Sequence, residues 1–154
     1  MIPAKNSAAA ALRLGLLALA LAGGAACGIP DHSAVMRPGE DCQGCHNGQI
    51  APAWTVAGTV FSDPNAPLSA GMPDAQILIT DANKRTLTLT SNSGGNFYTS
   101  EMLDFPIKVE IQRGTWRMAM ASSPASGSCN SCHSIPKGTP YVPGRLFIPY
   151  QQLQ

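Results

Sequence analysis

Residues 54–61 read WTVAGTVF, and this stretch decides the fold. Positions 54, 56, 58 and 60 alternate with positions 55, 57, 59 and 61, and Thr55, Val56, Thr59 and Val60 are β-branched. Apolar and β-branched residues at a period of two are typical of a β-strand. The stretch therefore predicts a strand near the middle of the 154-residue chain.

The same alternation recurs further along the chain. Residues 77–79, 86–90 and 107–111 repeat the period of two, and polar turn clusters lie at 63–65, 81–83, 93–96 and 113–114. Short strands separated by polar turns favour a small antiparallel sandwich. We therefore predict a mainly β domain over residues 54–120.

This region resembles the carboxypeptidase regulatory-like domains. The resemblance lies in residues 56–60 (VAGTV), 71–77 (GMPDAQI), 90–97 (TSNSGGNF) and 105–111 (FPIKVEI). It implies a transthyretin-like or immunoglobulin-like sandwich that positions or connects other parts and is not catalytic.

Residues 1–26 have the features of a secretory signal peptide. Lys5 and Arg13 are their only charges, and the apolar run from Leu14 to Ala22 is nine residues long. A bilayer needs about 20 apolar residues to be crossed, so export followed by cleavage is the interpretation we favour. An uncleaved membrane anchor is the alternative.

Cys27 follows this segment directly, after Gly24, Ala25 and Ala26. The ending resembles the lipobox of bacterial lipoproteins, which implies lipidation of Cys27, although Gly24 stands where that pattern usually has Leu. Gly28 after the cysteine implies sorting to the outer membrane. The alternative is an ordinary cleavage site that precedes a cysteine.

The charge balance argues against nucleic-acid binding. Only 12% of residues are charged and the formal net charge is +1, so there is no basic composition of the kind that nucleic-acid binding needs. Removal of residues 1–26 leaves eight basic residues against nine acidic ones. The exported chain is therefore mildly acidic.

The other four cysteines form two copies of the motif C-x-x-C-H, at 42–46 (CQGCH) and 129–133 (CNSCH). This motif is the attachment signature of c-type haem. Its two thiols add to the two vinyl groups of the porphyrin, and the adjacent histidine binds the iron. We therefore predict two covalently attached haem c groups. The predicted haem-binding residues are Cys42, Cys45, His46, Cys129, Cys132 and His133.

Three other interpretations of the cysteines stay open. They are two Cys-x-x-Cys disulfides, one four-Cys zinc site and a thioredoxin-like redox pair. The long gap between Cys45 and Cys129 disfavours a zinc ribbon, and neither motif lies in a βαβ context.

The sixth iron ligand is His or Met in many electron carriers. His32 and Met36 precede the first motif, and Met118 and Met120 precede the second. Alternation on a strand places Met118 and Met120 on one face. We expect one residue of each pair to be a ligand, and the alternative for each methionine is core packing.

The chain thus divides into a signal peptide (1–26), an N-terminal haem segment (27–53), the sandwich (54–120) and a C-terminal haem segment (121–154). The flanking segments are rich in Pro and Gly, so little helix is predicted there. Sandwich topology favours the two segments being neighbours. Lys137 and Arg145 are candidate partners for haem propionates, and the alternative for each is a solvated surface role.

The chain also resembles small exported dihaem c-type cytochromes. The resemblance implies an electron carrier, not an enzyme, in the periplasm or at the outer membrane or cell surface. Its partners would be other redox proteins of the envelope, with the membrane reached through the lipid on Cys27. The alternatives are a dihaem redox enzyme (a peroxidase or small-molecule reductase) and a haem-stapled structural or binding module of a larger envelope complex.

Overall fold

The computed structural model describes Ser33, residues 35–134 and residues 144–149. Within these ranges a 3-10 turn over Cys42–Gly44 precedes seven strands and one short helix. In chain order the elements are β1 (Val56–Phe61), β2 (Gln76–Thr80), β3 (Thr86–Thr90), β4 (Asn96–Thr99), β5 (Lys108–Arg113), β6 (Trp116–Ala119), α1 (Cys129–His133) and β7 (Leu146–Phe147). One sheet has the order β4-β1-β7 and the other β3-β2-β5-β6.

The two sheets share one hydrophobic core. Val56 and Val60 of β1 belong to the same buried cluster as Ile77 and Ile79 of β2 and Phe97 of β4. Burial of each such side chain stabilises the fold by about 1.5–3 kcal/mol. All strand pairs are antiparallel except β1 with β7, which is parallel. The prediction of a mainly β sandwich is confirmed.

Strand β1 is buried on both faces, since all six of its residues are buried. Val56 and Val60 face the core between the sheets. On the opposite face the hydroxyl of Thr59 accepts a hydrogen bond from the backbone N–H of Gly39, at 2.9 Å. The segment that precedes the sandwich therefore covers the outer face of β1.

The C-terminal part of the chain pairs with the edge of β1 that faces away from β4. The N–H of Ala57 donates to the carbonyl of Gly127 at 2.9 Å, and the N–H of Thr59 donates to Asn130 Oδ1 at 3.1 Å. Further along, Val60 pairs with Leu146 of β7. Strand β1 thus contacts both segments that carry the cysteine motifs.

Three details differ from the sequence-based predictions. Strand β4 begins at Asn96, which the polar composition had placed in a turn. Helix α1 forms within a segment whose Pro and Gly content predicted little helix, and β7 was not predicted at all. Within the described ranges, no helix is long and apolar enough to cross a membrane.

Candidate functional site

A cavity of about 630 Å³ lies between strands β5 and β6 on one side and helix α1 on the other. This volume is in the range of small-molecule and cofactor pockets. The second cysteine motif forms one wall, through Cys129, Cys132 and His133. The facing residues are mostly apolar or small and include Val109, Ile111, Met118, Ala119, Met120 and Leu146.

The ring of His133 is buried and is held in one orientation by a hydrogen bond. Its ring is buried, and Nδ1 lies 2.6 Å from the carbonyl oxygen of Gly144. Because a carbonyl only accepts, Nδ1 carries a proton, and in the neutral imidazole Nε2 then has the lone pair. Among the described residues no hydrogen-bond partner reaches the buried Nε2. Buried polar atoms are rarely left unpaired, so this nitrogen is free to take a partner that the described residues do not provide.

The two cysteines of this motif are three residues apart in helix α1, close to one helical turn. Cys129 is packed against the core, and Cys132 is exposed. Burial, with a smaller contribution from nearby Cys42, raises the pKa of the Cys129 thiol to about 12. Disulfide oxidoreductases need a thiolate at neutral pH, which requires a lowered pKa. The environment of Cys129 therefore counts against the thioredoxin-like interpretation.

Met118 and Met120 both line the cavity that contains His133. Met118 is paired with Ile111 across β5 and β6, and the N–H of Met120 donates to the carbonyl of Val109. Met120 follows the last residue of β6, and Ala119 between the two methionines also lines the cavity, so the shared strand face stays a prediction.

The first motif lies on the outer face of the β4-β1-β7 sheet. Asp41 accepts the N–H of Gln43 at 3.1 Å and so begins the 3-10 turn. The amide of Gln43 donates to the carbonyls of Trp54 at 2.9 Å and Thr55 at 3.0 Å. These bonds anchor the motif to the residues that lead into β1.

The two cysteines of the first motif differ: one is a free thiol and the other is in a disulfide. Burial, followed by the negative charge of Asp41, raises the pKa of the Cys42 thiol to about 11. Cys45 is disulfide-bonded. Cys42, Cys129 and Cys132 are free thiols.

His46 is held in a way that parallels His133. Its Nδ1 lies 3.0 Å from the carbonyl oxygen of Pro52. Its ring stacks on Trp54 with centroids 3.3 Å apart, and Trp54 stacks on Tyr98 at 4.1 Å. No hydrogen bond from the described part of the chain reaches His46 Nε2. Trp54 and Tyr98 fix the ring plane, which the sequence alone had not indicated.

The two motifs contact each other, as the topology predicted. Ser128, next to the second motif, donates to Asp41 Oδ1 at 2.5 Å. Asn130, inside the second motif, donates to the carbonyl of Glu40 at 2.8 Å. Sequence reasoning missed Asn130 and Gln43, although each is the amide residue that directly follows the first cysteine of its motif.

Other predicted residues have different outcomes. Cys27, His32 and Lys137 lie outside the described residues. The carbonyl of Met36 accepts Asn96 Nδ2 at 2.8 Å, and no described contact brings Met36 to His46. Among the described residues, no three His, Cys, Asp or Glu side chains converge in a group that could hold a metal ion.

Arg145 is buried and contacts other parts of the chain, and its pairing with a haem propionate stays a prediction. Its guanidinium is buried, donates to the carbonyls of Ala66 and Ser134, and lies 4.6 Å from the centroid of the Phe61 ring. These contacts hold in place the chain next to Gly144, whose carbonyl orients His133.

No family model, curated protein or solved structure matches this chain.

Proposed function

We propose that this chain is an exported dihaem c-type cytochrome that carries electrons at the bacterial cell envelope. The observation that supports it most is His133, whose proton is held on Nδ1 by Gly144 while the buried Nε2 has no partner among the described residues. That nitrogen belongs to the same cavity wall as Cys129 and Cys132. Two thiols, an unprotonated imidazole nitrogen and an apolar cavity are the requirements of a covalently bound haem.

At the second site, Cys129 and Cys132 would form the thioether bonds and His133 would be the proximal ligand. The carbonyl of Gly144 orients the imidazole and makes its Nε2 a better donor. The haem supplies one-electron chemistry when it is bound. The chain itself supplies orientation and an apolar environment.

At the first site, Cys42 and Cys45 would hold the porphyrin and His46 would bind the iron. The stack on Trp54 and the contact with Pro52 orient the imidazole in the manner seen at His133. A thioether at Cys45 requires a thiol, so a dithiol reductant of the envelope would first have to reduce the disulfide of Cys45 and would itself be oxidised to a disulfide. Exported thiols oxidise readily, which makes this reduction a necessary step.

The lining of the cavity favours an electron carrier over a redox enzyme. None of the described residues that line it is Asp, Glu, Lys or Arg. Turnover of a peroxide or another small molecule needs an acid or base beside the haem, whereas electron transfer needs none. Met118 and Met120 are also available to fill the sixth position.

The partners and location that we propose follow from the sequence. Residues 1–26 would direct export, and lipidated Cys27 would anchor the chain at the outer membrane or cell surface; without the lipid it would be periplasmic. Electrons would be exchanged with other redox proteins of the envelope.

Paired cysteine variants test the proposed function. Because each motif holds its own haem, Cys42→Ala/Cys45→Ala and Cys129→Ala/Cys132→Ala are each expected to leave one covalent haem per chain. Intact mass of protein from an exporting host with cytochrome c maturation measures this number. An unchanged haem content in either double variant would contradict the assignment of that motif.

The methionines of the cavity give a separate prediction. The double variant Met118→Leu/Met120→Leu conserves volume and removes both thioether sulfurs. A Met ligand raises the potential of a haem, so we expect the midpoint potential of one haem to fall by on the order of 0.1 V within the roughly 0.8 V range that axial ligands set. Optical redox titration measures it. An unchanged potential and low-spin spectrum would exclude both residues as ligands.

A further inference from the structure

Asn130 is a buried amide at the position after the first cysteine of the second motif. The motif C-x-x-C-H specifies no residue type at this position. Asn130 is only 1% exposed. Its Oδ1 accepts the N–H of Thr59 at 3.1 Å, and its Nδ2 donates to Thr59 Oγ1 at 3.1 Å. The same Nδ2 donates to the carbonyl of Glu40 at 2.8 Å. Both protons of the amide nitrogen are therefore used.

Thr59 is the centre of the network that Asn130 joins. Its hydroxyl accepts from Asn130 Nδ2 and from the N–H of Gly39, and donates to Asn96 Oδ1 at 2.8 Å. One donated and two accepted bonds are all that a hydroxyl can make. Buried polar networks that are fully satisfied are rigid, so this one fixes every element that it touches.

The position of Asn130 explains why a side chain is needed there. The free edge of β1 is bridged by Ser128 at Ala57 and by β7 from Val60 onward. Thr59 lies between them, and the Asn130 amide provides the partner that a neighbouring strand would have given. The other side of the same amide reaches Glu40, two residues before Cys42.

A second bond crosses between the motifs at the surface. Ser128 donates to Asp41 Oδ1, and Asp41 also begins the turn that contains Cys42. In the first motif Gln43 occupies the position that Asn130 has in the second, and it bonds the residues that lead into β1. The amide that follows the first cysteine thus attaches the second motif to β1 and the first motif to the residues that lead into β1.

We infer that the two motifs form one interlocked double site, in which Asn130 is a positioning residue for the first motif as well as for its own. The inference rests on the proposed function for the identity of the cofactor. The interlock itself is a property of the chain and can be measured without haem.

The test compares Asn130→Leu with Asn65→Leu in the full-length chain purified without haem. Asn65 is exposed and its backbone, not its side chain, makes the local bond to Asp63. Iodoacetamide alkylation under native conditions, resolved by peptide mass, reports the accessibility of Cys42. We expect Cys42 to react about tenfold faster in Asn130→Leu, since loss of a buried bond favours local opening, and at the wild-type rate in Asn65→Leu.

A milder pair of variants covers the case in which Asn130→Leu does not fold. Ser128→Ala removes only the bond to Asp41, and Ser131→Ala removes a bond to Ser128 within the second motif. Cys42 should react about threefold faster in Ser128→Ala and at the wild-type rate in Ser131→Ala. Wild-type rates at Cys42 in Asn130→Leu or, where that variant does not fold, in Ser128→Ala would overturn the interlock.

Failure of the interlock and failure of the proposed function are distinguishable. If the chain carries two haems but the alkylation rate of Cys42 is unchanged in these variants, the proposed function is supported and the interlock is contradicted. If the chain takes up no haem but Cys42 is alkylated faster in Asn130→Leu, the interlock is supported and the proposed function is contradicted. In the loaded protein, Asn130→Leu should shift the midpoint potentials of both haems, whereas an effect on one haem alone would contradict the inference.

Discussion

A Gly127→Ala variant is expected to lose about 3 kcal/mol of unfolding free energy, at the upper end of the usual cost of overpacking. A methyl group at Gly127 would overlap the carbonyl oxygen of Thr55 and lie 2.8 Å from Val56 Cα. Both are backbone atoms of the segment that enters β1, so neither can rotate away. The variant would push apart the junction where the second motif joins the sheet.

Thermal unfolding by circular dichroism measures this loss, and a fall in Tm of roughly 10 °C is expected. Gly44→Ala is the matched control, because Gly44 lies inside the first motif and a methyl group there has nothing within 4 Å. Equal Tm values for the two variants would show that Gly127 is not packed against β1 as described.

A His133→Ala variant is expected to lose about half of the low-spin haem signal while keeping two covalent haems, since Cys129 and Cys132 are unchanged. Alanine offers no ligand to the iron, whereas Nε2 of His133 is the buried nitrogen that the described residues leave without a partner. The haem at the second motif should therefore lose all of its low-spin signal.

Electron paramagnetic resonance and the absorption spectrum of the oxidised protein measure the low-spin fraction. His46→Ala is the companion variant and should remove the other half, so that the double variant has none. Retention of the full low-spin signal in His133→Ala would exclude His133 as the proximal ligand.

The motifs and most strands could be predicted because their signals are local. The cysteine spacing lies within five residues, and period two predicted β2 and β3 at Gln76–Thr80 and Thr86–Thr90.

The parts that could not be predicted depend on distant contacts. Strand β7 is two residues long, and its pairing with Val60 and Phe61 has no signature in Leu146 and Phe147 alone. Burial of both faces of β1 depends on a segment that precedes it. Asn130 and Gln43 could have been noticed only as amides at equivalent motif positions, and composition alone does not distinguish a buried amide from a solvated one.

The number of covalently bound haems per chain tests the central claim most directly. The full chain would be exported by a host with cytochrome c maturation, and its intact mass would be measured beside a pyridine haemochrome spectrum. The account predicts a mass increase of two haem groups and a spectrum with both vinyl groups of each porphyrin saturated. Fewer than two haems per chain, or bound zinc with all four motif cysteines unmodified, would contradict it.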